Sequence, residues 1–370
     1  MIKRSIQDLI LRDIFKQKAI IILGPRQSGK TTLLKMIVPE VNIPYLWLNG
    51  DEADVRYMFV NATTTQLKKI IGTRKLVIID EAQRIENIGL TIKLIVDHFP
   101  DIQVIASGSS SLEIADKTKE PLTGRKREYF LYPLSREELI NHYGYLEEKR
   151  LLEHRIIYGT YPEVATKAGE EASILKALAD SYLYKDVLVL EQIKKPEKLE
   201  RLIQAIAFQT GNLVSYNELS NLTGIDNETV ERYITILEKA YIIFRLGSLS
   251  RNLRNEIKKA RKIFFFDTGI RNAVINNFNP SYLRNDIGAL WENYVITERM
   301  KYRQQHSIYA NIYFWRTHTQ QEIDYIEERE GKFFAYEIKW NRKRPHRFPK
   351  SFSAAYPNHE LELITPDNYL

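Results

Sequence analysis

The chain has 370 residues, 44% hydrophobic and 27% charged, with a formal charge of +7, proportions ordinary for a globular protein of two or three domains. Having no cysteine, it excludes disulfides and thiolate metal sites. The longest apolar runs, AIIILG and LVIID, are strand-sized, and the start MIKRSIQDLILRDIFKQKA lacks a signal peptide's apolar centre, so a cytoplasmic location and no membrane partner are expected.

The basic excess is concentrated in RNLRNEIKKARK (251–262) and KWNRKRPHRFPK (339–350). Two accounts stand for each cluster: solvated surface charge, or contact with the backbone of DNA or RNA.

In chain order, the first informative stretch is KAIIILGPRQSGKTTLLKMI. An apolar strand ends at Gly24, a polar loop follows, and a helix opens at Lys30. Gly24-Pro25-Arg26-Gln27-Ser28-Gly29-Lys30-Thr31 fits the P-loop pattern in the strand–loop–helix context it requires, and Thr32 follows in the helix. The two glycines let backbone amides curl toward phosphate oxygens. Lys30 is expected to reach the β- and γ-phosphates of ATP, and the Thr31 hydroxyl to ligate Mg²⁺.

RKLVIIDEAQRI reads as a buried strand ending in two acids. Asp80 is placed to hold the Mg²⁺ shell and Glu81 to polarise the attacking water. A third strand, DIQVIASG, runs into serines, of which Ser109 or Ser110 either senses the γ-phosphate or caps the next helix. In LTGRKREYFLYPLS, Arg125 is the candidate to stabilise the transferring phosphate, in its own chain or across a homo-oligomer. Arg127 is a second candidate, and a solvated loop role stands beside both.

GPRQSGKTTLL, LVIIDEAQR, SGSS and LTGRKREYFLYPLS together resemble the prokaryotic AAA+-type P-loop ATPases that carry a conserved C-terminal region of unassigned role. The resemblance continues through YPEV, YLYKDVL, KIFFFDTGIRNAV, GALWENYVI and AYEIKW. It implies ATP and Mg²⁺ as cofactors, with Lys30, Thr31, Asp80, Glu81 and Arg125 in the roles above.

Residues 134–205 show helical spacing and suit a lid on a nucleotide core of 1–133. In 206–265, NELSNL, the turn TGI and NETVERYITILEKA give two short helices before an apolar extended segment, the pattern of a winged helix-turn-helix. The second helix offers Asn227, Glu228, Glu231 and Arg232, an acidic front for a phosphate surface, which favours a structural or regulatory role. In KIFFFDTGI, Asp267 reads as a helix cap.

The last part, 266–370, has a helix containing Glu292 and then three strands, NIYFWRT, EIDYIEE and KFFAYEIKW, with EREG turning between the last two. Strand parity puts Glu322 and Asp324 on one face and Glu337 and Lys339 on one face. This arrangement resembles the PD-(D/E)xK nuclease fold, with Glu292, Asp324 and Glu337 as ligands of a second Mg²⁺ or Mn²⁺ and Lys339 beside them. The proline-aspartate pair is missing, the first acid lying in EID.

The expected fold is therefore α/β: a P-loop NTPase parallel sheet, a helical lid, a winged helix-turn-helix and a nuclease-like α/β domain. Three functions stand open. They are an ATPase that moves its C-terminal domains, an ATP-controlled nuclease, and a nucleotide-gated scaffold that binds DNA or protein.

Overall fold

The computed structural model of the chain describes residues 1–108, 122–181, 196–250, 260–341 and 347–369. It forms two compact units, one of residues 1–134 with 239–241, the other of 135–238 with 242–370.

The first unit is built on five parallel strands: β1 (Ala19–Leu23), β2 (Tyr45–Asn49), β3 (Leu76–Asp80), β4 (Gln103–Gly108) and β5 (Lys126–Phe130). Their order in the sheet is β2-β3-β4-β1-β5. The inner strands read as unbroken apolar runs because both of their faces are covered. Ile21, Leu23, Val77, Ile79, Val104 and Ala106 enter one core. The alternate residues Ile20, Ile22, Leu76, Ile78 and Ile105 enter the other, with Leu33, Leu34 and Ile37 of the helix Lys30–Val41. All five carboxyl ends lie on one edge of the sheet, the edge where ligands collect in such folds.

The second unit holds the helices Arg136–Tyr143, Leu152–Tyr158 and Glu171–Asp180, of which the last two pack against the helix Thr268–Val274. The described residues after Leu134 of the lid expected over 134–205 group with the C-terminal unit. Specific polar bonds make the attachment. Asn272 donates to the Ile157 carbonyl at 2.7 Å, and Asp267 accepts from the Thr160 amide at 2.8 Å. Asp267 also accepts from the amides of Gly269 and Ile270, the cap read from its sequence.

Further along are the helices Pro196–Phe208, Tyr216–Thr223 and Asn227–Lys239, then β6 (Ile243–Gly247) and β7 (Arg261–Phe265), paired antiparallel. Leu213 forms a single bridge to Lys262 on the other side of β7. Ser215 accepts from the Glu218 amide and Asp226 from the Thr229 amide, capping the two helices that follow.

The helix Ile287–Gln305 precedes a mixed sheet of β8 (Asn311–Arg316), β9 (Glu322–Arg329), β10 (Lys332–Ile338) and β11 (His359–Ile364). Its order is β11-β10-β9-β8. β9 and β10 form the expected hairpin, turning at Glu330 and Gly331, both with positive φ. β11 adds in parallel beside β10 and was not foreseen.

Candidate nucleotide site and the C-terminal charge cluster

The loop 24–29 leaves β1 at the carboxyl edge of the first sheet. Gly24, at φ +156°, lies so close to the segment after β5 that a Cβ there would sit 2.3 Å from the Leu131 carbonyl oxygen. Gln27 takes φ 58°, and Gly29 takes φ 96° as the residue before the helix. These turns draw the loop over the helix N-terminus, where unbonded amides attract anions. Ser28 is fully buried, and its hydroxyl has no partner among the described residues.

Lys30, also buried, folds back on the loop and donates to the carbonyls of Gly24 at 3.0 Å and Pro25 at 2.7 Å. Thr31 donates its hydroxyl to Asp80 Oδ2 at 2.7 Å. Thr32 is exposed on the same helix, and Pro25, Arg26 and Gln27 complete the loop. The hydroxyl and carboxylate oxygens fit the hard-oxygen preference of Mg²⁺, and a buried ammonium at a helix N-terminus suits a polyphosphate.

Asp80 ends β3, and β4 lies between β3 and β1. The carboxylate nevertheless reaches Thr31, because Ser107 of β4 donates to its other oxygen, Oδ1, and steadies it midway. Ser107 is a residue sequence reasoning missed in favour of Ser109. The available signal was position, since Ser107 is still inside the buried strand while Ser109 and Ser110 fall outside the described residues. Glu81 adopts φ 49°, a left-handed turn at a non-glycine residue. Its carboxylate accepts from the Gln83 side chain.

A further unforeseen residue is Arg4. Its buried guanidinium donates to the Ser28 carbonyl at 2.8 Å and the Tyr132 carbonyl at 2.6 Å, tying the loop to the chain that follows β5.

Arg125 does not join this group. Its carbonyl accepts from the Ala19 amide at 2.9 Å, which places it at the amino edge of β1, opposite the loop. Five strand residues separate the two edges, roughly 16 Å at about 3.3 Å per residue. Its guanidinium is held by Asp97 at 2.5 Å. Contact with phosphate in its own chain is thereby corrected, because β5 runs parallel to β1 and a residue preceding it starts at the wrong end. Arg127 is likewise engaged, with Asp13 at 2.6 Å.

In the second unit, Glu292, Asp324 and Glu337 do come near one another, but through lysines. Lys262 of β7, almost fully buried, places Nζ 2.8 Å from Glu292, 2.5 Å from Glu322 and 3.9 Å from Asp324. Lys339 lies 3.2 Å from Asp324 and 2.5 Å from Glu337. The Ile338 amide donates to Asp324 at 2.9 Å, and Arg316 lies 3.2 Å from Glu322. Among the described residues no group of three acids or histidines is arranged to hold a metal ion. A second metal site is therefore not shown among the described residues, and the Lys262 ammonium lies beside Glu292 and Glu322.

Burial, with the Asp324 charge second, pushes Glu292 up to about 8 and Glu337 up to about 7. For Lys262 burial acts to lower the pKa, but Glu292, Asp324 and Glu322 outweigh it and keep the ammonium charged.

Residues 16–140 match the family described as an AAA domain. Residues 149–281 match a domain of unknown function (DUF8612), and 287–367 a domain of unknown function (DUF4143). The chain thus carries an AAA-type P-loop ATPase domain ahead of these two regions. An uncharacterized protein of Mycobacterium tuberculosis is 23% identical over 343 residues, covering 91% of this chain and 74% of the relative. One from Haemophilus influenzae is 25% identical over 289 residues, covering 71% and 70%. One from Methanocaldococcus jannaschii is 24% identical over 318 residues, covering 74% and 65%. Among solved structures, a Signal Transduction ATPase with Numerous Domains (STAND) protein with a tetratricopeptide repeat sensor, from Pyrococcus horikoshii, aligns at 12% identity and TM-score 0.31. That alignment covers 83% of this chain and 48% of the solved one. No helix among the described residues is long and apolar enough to cross a membrane.

Proposed function

We propose that the first unit binds ATP with Mg²⁺ and hydrolyses it, and that hydrolysis moves the C-terminal unit. The observation that carries this is the Asp80 carboxylate, held by Ser107 on one oxygen and by the Thr31 hydroxyl at 2.7 Å on the other, at the helix that Lys30 opens. Thr31 and Asp80 would hold the Mg²⁺, which when bound supplies charge neutralisation of the phosphates. Lys30 exchanges its two loop carbonyls for phosphate oxygens, a move of a side chain that is already in place. Glu81 accepts the proton of the attacking water, and the Gln83 amide fixes which way its carboxylate faces.

Coupling to the rest of the chain has a covalent route. Residues 239–241 belong to the first unit, and the Tyr241 ring meets the edge of Phe130 at 4.5 Å. Phe130 immediately precedes Leu131, whose carbonyl abuts Gly24, so a shift of the loop is passed toward the helix Asn227–Lys239. An action of Arg125 on a neighbouring copy requires release from Asp97.

The order of elements over 196–265 supports the winged-helix reading, and a helix followed by a mixed sheet supports the nuclease-like one. Glu231 pairs with Arg261 at 3.7 Å, which favours a protein-facing rather than phosphate-facing role for the second helix. Nuclease chemistry is the less favoured reading, since the acids it needs are taken by Lys262 and Lys339. DNA or RNA binding through 251–262 falls mostly on residues outside the described ones.

The test is ATP binding and turnover by wild type, Lys30→Ala and Glu81→Gln. Lys30→Ala should lose binding or turnover by at least about 100-fold, and Glu81→Gln should bind ATP but turn it over slowly. Wild-type affinity and rate in Lys30→Ala would sink the proposal.

A further inference from the structure

We infer that the acidic cluster of the C-terminal sheet is a cation site filled by the chain's own Lys262, so that a divalent cation and this ammonium compete for one position. Four carboxylates converge from three elements: Glu292 from the helix Ile287–Gln305, Glu322 and Asp324 from β9, and Glu337 from β10. Such convergence of buried acids is costly without positive charge between them. The charge is supplied from a fourth element, β7, whose Lys262 enters from the side and is only 1% exposed.

Its ammonium lies within 2.8 Å of Glu292 and 2.5 Å of Glu322, with Asp324 at 3.9 Å and the Phe314 ring centroid at 5.5 Å. An ammonium has three N–H donors and no acceptor, so it meets carboxylates as a small cation does. A Mg²⁺ or Mn²⁺ ion bound to the same oxygens needs them about 2.0–2.1 Å away, in space the nitrogen and its hydrogens now fill. Both cannot be present.

The lysine is not a loose surface side chain that drifted inward. Its backbone pairs with Leu246 of β6 on one side and bridges to Leu213 on the other. The plug is therefore part of the β6–β7 hairpin, and the acids are part of a different sheet.

The experiment uses the full chain without nucleotide, with Mn²⁺ as the probe, read by electron paramagnetic resonance and by thermal unfolding. Wild type, Asp324→Asn, Lys262→Met and Lys262→Met/Asp324→Asn are compared, so that Mn²⁺ held at Thr31 and Asp80 is common to all. Wild type should bind no more Mn²⁺ than Asp324→Asn. Lys262→Met should melt roughly 6–20 °C lower without metal, since it strands buried acids. It should gain one Mn²⁺ that depends on Asp324, and recover at least roughly 5 °C when the ion stands at about 100 times its dissociation constant. If Lys262→Met does not fold, Lys262→Met/Glu322→Gln removes one stranded acid and gives the same reading. An Asp324-dependent Mn²⁺ in wild type overturns the inference, because the ammonium then does not compete. So does the absence of any extra Mn²⁺ in the lysine variants, because the cluster is then no cation site.

Discussion

Replacing Arg4 by alanine tests whether the nucleotide loop is shaped from outside itself. The Arg4 guanidinium makes two charge-assisted hydrogen bonds, at 2.8 Å to Ser28 and 2.6 Å to Tyr132. Bonds to charged groups contribute about 1.5–3 kcal/mol each, which sets an upper range of about 3–6 kcal/mol for the pair. The Tyr132 bond is only partly buried, so water replaces some of it and about 2–4 kcal/mol is the expected loss. For a unit of this size that lowers the melting temperature by roughly 6–12 °C. If about half the loss is felt as loop disorder, ATP affinity falls roughly 5- to 30-fold. Calorimetric melting and titration with a fluorescent ATP analogue measure the two effects separately. Arg4→Lys should recover no more than part of either, since one ammonium lacks the planar fork that reaches both carbonyls. A lower melting temperature with unchanged ATP affinity would refute the reasoning, for Arg4 would then anchor only the N-terminal segment.

Ser107→Ala should leave folding intact and lower the ATPase kcat by about ten-fold, because Asp80 keeps Thr31 but loses the hydroxyl that orients it; an unchanged kcat would remove Ser107 from the site. The second unit should lose stability as pH rises from about 4.5 to about 8. Glu292 and Glu337 sit at about 8 and about 7, above their ordinary 4.5, so their relative stabilisation is complete below 4.5 and lost as pH passes through those folded values. Glu292→Gln should flatten the upper part of that fall, and an identical pH slope in this variant would show that the carboxylate is not its source.

What could be read from the sequence depended on how local its cause was. The P-loop and the acids after β3 were legible because chemistry, strand and helix are adjacent in the chain. Sheet order was not, since it is decided by which crossover lands beside which strand, and β4 sits between β1 and β3 without any signal in either. For Arg125, strand direction already argued against contact with phosphate in its own chain. A residue preceding a strand parallel to β1 begins at the edge where β1 begins. Lys262 was counted with a basic surface cluster because three neighbours are basic. Yet it is also the first residue of an apolar run, KIFFF, and strand burial turned it inward. Arg4 gave no local signal, since its partners lie 24 and 128 residues away.

The assignment of Lys239–Tyr241 to the first unit makes that unit discontinuous in the chain. A fragment ending at Leu134 would uncover the side of Phe130 on which Tyr241 rests, and a fragment beginning at Ser135 would carry Tyr241 with no surface to cover. The ATPase and its C-terminal partner are therefore not exchangeable cassettes. Any recombination that swaps one half must bring a side chain at 241 that fits against Phe130.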